Sequence, residues 1–450
     1  MLDLALVAAV DIREEGAGQL GSYPGLVLTC DVVVVGGGPA GSSAATSLAR
    51  AGRDVMLVDK AAFPRDKCCG DGLTALALRL MERLGLDPTA LPSWTTVDSA
   101  IVSGPEGYAV RFPLPGGPGT HAAVVRRSEL DAALVDLARR AGAKVLDGHA
   151  MVGIAEHDDR VVVDVAGVGE VHARYAVAAD GMWSPTRRAL GLSVPGYRGD
   201  WHAFRAYFRD ASDTARRDLC VWFEADLLPG YAWSFPVGDG TVNFGFGIQR
   251  GGKVAVGDMK QVWEDLLERP AIREVLGPDA TPEARFTAWP IPARVHDMSR
   301  TARRTFFVGD AVAATDVMTG EGIGQAILTG MLAADVIEET GPHGARVATE
   351  RYAAAVDHHL VADHHVSALL VRALRHRKGA RAAIRVAGLT PWTRRNFARW
   401  LFEDYPRAIV GTPSRWHRGV FRGPGAYADR VVAVSEAEQA LARAEGAVTS

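Results

Sequence analysis

At 450 residues, with 48% apolar and 23% charged side chains, the chain is long enough for two or three packed units and has the composition of an ordinary soluble protein. A formal charge of −3 excludes a chain-wide nucleic-acid footprint. The four cysteines, Cys30, Cys68, Cys69 and Cys220, show neither CxxC spacing nor a disulfide framework, so a reducing cytoplasm and no structural metal are expected.

Residues 1–29 read as an N-terminal extension. Its apolar run at 2–10 lacks a basic lead and is followed at once by Asp11, Glu14 and Glu15, which argues against a signal peptide. No run approaches the ~20 apolar residues of a membrane span. The organising stretch is 30–60. Four valines after Asp31 predict a strand buried on both faces. Gly36, Gly38 and Gly41 then give GxGxxG at a strand-to-helix junction, where a pyrophosphate can meet the helix N-terminus. Small helix formers fill 42–51, and a second apolar run ends at Asp59, 23 residues after Gly36, placed to accept from a ribose hydroxyl. Asp59 disfavours a 2′-phosphate and leaves FAD or NAD.

Residues 61–86 begin as an irregular loop with Pro64, Arg65, Lys67, Cys68, Cys69, Gly70 and Gly72, and become helical from Leu73, with Leu76, Leu80 and Leu84 on one face. A loop in this place reaches the ligand. The run FPRDK-CGDGLT resembles the signature of the geranylgeranyl reductase family of flavoproteins, especially its menaquinone-reductase branch, within the wider group that shares the para-hydroxybenzoate hydroxylase fold. The resemblance implies FAD rather than NAD in the Rossmann unit, with Lys60, Arg65, Cys69 and Gly70 at the cofactor. Cys68 stands where that family has proline or threonine.

Strands and turns are predicted for 94–111 and a Pro/Gly loop for 113–119. Residues 124–143 begin as a strand and become a helix, with Ser128 as N-cap and Leu130, Leu134 and Leu137 on the buried face. By resemblance Arg127 lies near the flavin. A β-rich stretch at 145–171, with an acidic turn at 156–159, leads to a strand that delivers Asp180 and Gly181. With Ser184 and Arg187 these resemble the group's second fingerprint, DGxxSxxR; Asp180 can accept from ribityl or hold Arg187.

Residues 193–298 are the most aromatic part of the chain and predict a sheet with one apolar face. Tyr231, Trp233 and Phe235 alternate along one strand and so share a side. Gly245 and Gly247 follow on the next. YxWxFP followed by GxG resembles the substrate-sheet motif of geranylgeranyl reductases, which implies a slot for a long hydrocarbon, the glycines leaving it room. Taken alone, the same pattern is also that of a sandwich core. At 303–339 a strand ends at Asp310 and a helix opens near Gly322, resembling the third fingerprint. The resemblance puts Asp310 on the ribityl chain and Gly320, Gly322 and Ile323 at the flavin N1/C2 edge, where a helix N-terminus favours negative charge. Ala313, Asp316 and Val317 replace the usual Gly, Asn and Pro, and Asp316 is expected to repel a flavin anion.

The last third is helical in composition. Between 372 and 422 thirteen Lys/Arg face two acids, interleaved with Trp392, Phe397, Trp400, Trp416 and Phe421, as on a protein lying on an anionic bilayer. A solvated basic face is the alternative. His358, His359, His364 and His365 lack the i, i+4 spacing of a metal pair, and Ser435 and Glu438 suggest a capping box for a last helix at 437–444.

The fold expected is α/β: a Rossmann-type FAD-binding domain (30–100, 122–192 and 299–340), an inserted antiparallel β-sheet substrate domain (101–121 and 193–298) and a helical C-terminal region (341–450). The activity expected is saturation of carbon–carbon double bonds in a polyprenyl chain by an FAD-dependent reductase, with NADPH or ferredoxin as external donor. The setting expected is the cytoplasm, at the inner face of the membrane. An isolated trisubstituted alkene is unpolarised, so hydride from flavin N5 must be accompanied or preceded by a proton. Cys69, mostly protonated near its ~8.5 reference pKa, is the expected proton donor or positioner. A flavin hydroxylase or halogenase shares the fingerprints. A non-catalytic prenyl-binding protein, as the Rab escort proteins are, is the alternative from another class.

Overall fold

The structure, a computed structural model, describes residues 27–341, 344–416, 421 and 423–429. The extension as far as residue 26 and the helix expected at 437–444 lie outside them. Residues 27–29 already belong to the first strand, Val27–Val35.

That strand runs parallel between Val55–Asp59 and Gly169–Ala178. Its valines split between two cores: Val32 and Val34 pack with the first helix, Pro39–Arg50, and Val33 and Val35 pack with the hairpin strands Met151–Glu156 and Val161–Val165. Both faces are covered, so the run needs no polar alternation. Lys144–Asp147 extends the sheet on one edge, and Thr305–Phe307 pairs in parallel with the end of Gly169–Ala178, making seven strands among the described residues. The helix Ile323–Thr340 crosses the first helix so closely that a Cβ on Gly330 would stand 2.1 Å from the Ala40 carbonyl oxygen. Ser43 Oγ donates to the Ile327 carbonyl at 3.1 Å across this contact.

The second sheet has eight strands among the described residues, centred on Trp201–Arg209, Val242–Gln249 and Tyr231–Pro236. It is antiparallel except where Leu219–Trp222 pairs in parallel with Ser99–Ser103, so the sheet is mixed. Alternation along its strands serves two faces rather than one. Phe204, Phe208, Phe244, Phe246 and Ile248 pack on the helices Met259–Glu268 and Pro270–Leu276, through Trp263, Leu266 and Ile272. The opposite side carries Arg205, Tyr231, Trp233 and Phe235 towards the first sheet.

Local details differ from the sequence expectations for physical reasons. The helix Arg127–Ala141 begins one residue before Ser128, because the Arg126 carbonyl already accepts from the Glu129 and Leu130 N–H groups; Ser128 is therefore inside it, not its cap. In the helix Ala75–Arg83 the buried face is Ala77, Leu78, Leu80 and Met81, and Leu73 precedes it in a short strand.

Helices Ala345–Val356, Ala362–Leu374, Arg377–Ala387 and Pro391–Leu401 form the C-terminal region. Its arginines do not make a uniform basic face. Arg381 pairs with Glu106, Arg399 with Asp404, Arg415 with Asp363, and buried Arg407 with Asp316 and Glu403. Trp392 and Trp416 are exposed, whereas Phe397 packs at a tilt against Phe112 and Trp400 lies under Arg407. His364 stacks on His296 at 4.4 Å, and burial pushes its pKa down to about 4, so it is a neutral packing group.

Candidate active site

A cavity of about 740 Å³ lies between the two sheets. On the first-sheet side the backbone itself forms the wall. Gly36 has φ +108, and a Cβ there would stand 2.3 Å from the Ala179 carbonyl oxygen. A Cβ on Gly41 would come within 1.8 Å of the Gly36 oxygen. Around Gly38 the nearest group to such a Cβ is Arg65 Nη2, at 3.7 Å, which leaves the helix start open to the cavity. The first helix has no side-chain cap and no acid in its first turn, so its N–H donors are available to an anion. Asp59 accepts from the Gly37 N–H at 2.6 Å and the Ala61 N–H at 2.8 Å and keeps lone pairs for a further donor. Lys60 and Arg65 line the same wall.

Asp180 and Gly181 border the cavity, and Asp180 Oδ2 accepts from the Thr186 N–H at 2.8 Å. Asp180 Oδ1 has no hydrogen-bond partner among the described residues. Asp180 makes no hydrogen bond to Arg187. That guanidinium stacks on Phe307 at 4.0 Å and donates to the carbonyls of Ala311 and Ser299, tying the second motif to the third. Asp310, Gly320, Gly322 and Ile323 line the cavity, and Ile323–Thr340 also starts without a side-chain cap. Ala313 sits in the left-handed region at φ +54, the conformation that explains why glycine is usual there.

Asp316 is not a cavity residue. Its carboxylate accepts from the Met318 and Thr319 N–H groups and from Ser367 Oγ, and faces Arg407 at 3.4 Å. Burial opposes its charge, but Arg407 and these donors hold the carboxyl below the usual carboxylate range. The charge expected to repel a flavin anion is thus set back from the cavity wall and countered from behind by Arg407 of the C-terminal region.

The loop that carries Cys69 is clamped by the second sheet. Arg205 donates to the carbonyls of Cys69 and Lys67 and to Asp66. Asn243 donates to the Cys69 carbonyl at 2.9 Å and to Asp71 at 2.8 Å, and Tyr207 also donates to Asp71. Asp71 is fully buried at φ +66, and burial raises its pKa to about 6. Cys69 Sγ accepts from the Asp71 N–H at 3.3 Å, and burial pushes the thiol up to about 11, so it is protonated at neutral pH. Arg127 is buried in a bidentate pair with Asp131, at 2.8 and 2.9 Å, which also faces Arg65 at 3.0 Å. Lys67 lies over the Trp289 ring at 3.4 Å, and burial lowers its pKa to about 8. Cys68 Sγ faces the Thr287 carbonyl at 3.6 Å.

Tyr231, Trp233 and Phe235 line the cavity in a row, with ring centroids 6.0 and 6.2 Å apart. Tyr231 donates to the Thr319 carbonyl, next to the third motif. Gly247 lines the cavity, but the space over Gly245 is filled: a Cβ there would stand 2.3 Å from the Trp233 indole. Gly245 seats the tryptophan rather than leaving room for a ligand. Sequence reasoning missed Arg205, Asn243 and Glu321, which lines the cavity between Gly320 and Gly322. The signal for the first two was a polar side chain in the interior of a strand rich in aromatic and small residues, Arg205 in Trp201–Arg209 and Asn243 in Val242–Gln249.

Open helix ends, the unpartnered Asp180 oxygen and the space at Gly38 suit the diphosphate, ribityl and N1/C2 edges of a flavin dinucleotide. The FAD binding domain family matches residues 29–337. A menaquinone reductase of Mycolicibacterium smegmatis is 37% identical over 341 residues, 69% of this chain and 77% of that one. A digeranylgeranylglycerophospholipid reductase of Methanopyrus kandleri is 34% identical over 322 residues, with 69% and 77% covered. A geranylgeranyl bacteriochlorophyll reductase-like protein of Thermoplasma acidophilum superposes with a TM-score of 0.71 at 22% identity, over 87% of this chain and all of that one. The chain uses FAD and belongs to the geranylgeranyl reductase family of FAD-dependent oxidoreductases.

Proposed function

We propose that the protein saturates carbon–carbon double bonds in the polyprenyl chain of a lipid, with menaquinone first among candidates. One observation carries this reading: the aromatic row Tyr231, Trp233 and Phe235 and the flavin motifs open onto one cavity, with the Cys69 loop between them. When bound and reduced, FAD supplies the hydride. In this reading Gly36 and Gly38 receive the diphosphate, Gly41 lets the helix pack close enough to present its N-terminus to it, Asp59 takes the ribose, and Asp180 and Asp310 the ribityl chain. Lys60, Arg65, Gly70, Arg127 and Gly181 complete the cradle. The uncapped start of Ile323–Thr340, with Gly320 and Gly322, favours negative charge at the N1/C2 edge. Tyr231, Trp233, Phe235 and Gly247 hold the hydrocarbon and exclude water, and Gly245 fixes the indole. The Rossmann-type segments act as the FAD-binding domain and 193–298 as the substrate domain. NADPH or ferredoxin is the external donor.

Substrate drawn from a bilayer needs a route to the cavity. No helix of the described residues is long and apolar enough to cross a membrane. Val386, Leu389 and Trp392 are 60%, 70% and 70% exposed at the junction of two C-terminal helices, beside Arg385 and Arg395. Such a tip suits peripheral attachment to an anionic inner leaflet.

The test is anaerobic incubation of the dithionite-reduced protein with menaquinone and with geranylgeranyl lipids, read by mass spectrometry. A gain of two hydrogens per bond is the expected result. Oxygen consumption with NADPH and no saturated product would indicate a hydroxylase instead. Sedimentation with anionic vesicles, lost in Trp392→Glu, tests attachment.

A further inference from the structure

Behind the third motif three carboxyl groups surround one guanidinium. Arg407 faces Asp316 at 3.4 Å and Glu403 at 3.4 Å, and Glu321 stands on the cavity side of the same cluster. Asp316 takes the best share, with two backbone N–H donors and Ser367. Glu403, half-buried at φ +54, is engaged by Gln325 at 2.8 Å and Thr74 at 3.0 Å. Glu321 is different: its carboxyl makes no hydrogen bond or ion pair with any described residue, and its side chain lines the cavity. Its Oε1 lies 3.6 Å from where a Cβ on Gly72 would stand, and Phe235 Cε2 lies 3.3 Å from that same point. The carboxyl therefore shares a notch with the last ring of the aromatic row, beside the Cys69 loop.

We propose that Glu321 is the proton donor to the alkene, with Cys69 as a positioning neighbour; this rests on the reductase reading above. The alkene π bond breaks and two C–H bonds form. One carbon receives hydride from the reduced cofactor and the other receives the Glu321 proton. The Glu321 O–H bond breaks to leave a carboxylate, which takes a proton back from water, and the external donor, as one hydride or as two single electrons with a proton from water, restores the reduced cofactor. Burial first, and the Glu403 carboxyl second, hold Glu321 well above the usual carboxylate range, which favours the protonated form this task needs. The other groups facing it are Asp316, Arg407, Tyr231 and Cys69. Burial pushes the Cys69 thiol up to about 11.

The full-length protein and Glu321→Gln are compared in two ways. In anaerobic single turnovers of dithionite-reduced enzyme with menaquinone, E321Q should be slower by roughly 100-fold or more, the usual worth of a positioned general acid. Glu321→Asp, which keeps the acid on a shorter arm, should recover part of the rate, with a shifted pH profile. The second measurement needs no cofactor: infrared spectra of the protein at neutral pH should show a protonated-carboxyl band that disappears in E321Q. Thermal melts should agree in sign. A raised folded pKa means that stability is full below the unfolded value of about 4.3 and is lost as pH rises through the folded pKa, so E321Q should gain on the wild type with rising pH. An E321Q rate within a few-fold of the wild type, or an unchanged infrared band, overturns the proposal. Absence of product from the wild-type enzyme would instead overturn the reductase reading.

Discussion

The glycine turn at 36–41 and the cysteine loop at 66–72 both hold backbone against the cavity. The first rests on its own neighbours and on the carbonyl of Ala179, where any Cβ would collide. The second hangs on Arg205 and Asn243, 136 and 174 residues away. One site is kept mainly by the absence of side chains, with Asp59 on the Gly37 N–H as its side-chain tie, and the other by polar side chains satisfying buried groups. Substitutions in the turn should therefore act by collision, and substitutions around the loop by leaving a donor or acceptor without a partner.

The largest effect should come from Gly41→Val. Its Cβ has no room beside the Gly36 oxygen, 1.8 Å away, so the turn must open and the cradle is lost. The purified variant should be colourless, read by flavin absorbance; a yellow, FAD-loaded G41V would break the steric side of the comparison.

Next is Arg407→Met, which tests whether the third motif is held from a distance as the cysteine loop is. Removing the guanidinium leaves Asp316 buried without a cation, a change that typically costs about 3–5 kcal/mol. Denaturant unfolding should show that loss. The sign with pH follows from Asp316: its folded pKa is depressed, so its contribution is present above the unfolded value and disappears as pH falls through the folded one. The R407M deficit should therefore be greatest at neutral pH and shrink in acid.

The smallest is Asn243→Leu, expected to cost about 1–3 kcal/mol by stripping donors from Asp71 and the Cys69 carbonyl while leaving flavin binding intact. Asp71 gives a pH signature. Its pKa is raised to about 6 in the folded state, so the stability linked to its protonation is full below the unfolded value of about 3.9 and is lost as pH rises towards 6. Without Asn243 that fall should be steeper, which thermal melts at pH 4 and pH 7 would resolve.

Spacing located the first dinucleotide motif, and resemblance to a known family supplied FAD and the second and third motifs; all three are legible because each is a strand, a turn and a helix start contained in a few tens of residues, with backbone geometry that only particular residues tolerate. The same local logic put Tyr231, Trp233 and Phe235 on one side of a strand and made the last third helical. Tertiary structure decided what each of these faces. It set a second core of helices behind the aromatic sheet, filled the gap over Gly245 with Trp233, drew Arg187 to the third motif and turned Asp316 from a threat to the flavin into the partner of Arg407. It also left Glu321 alone among charged neighbours at the cavity wall. The physical reason is range: backbone conformation and periodicity are fixed by adjacent residues, whereas burial, charge pairing and proton affinity depend on groups that only the folded chain brings together.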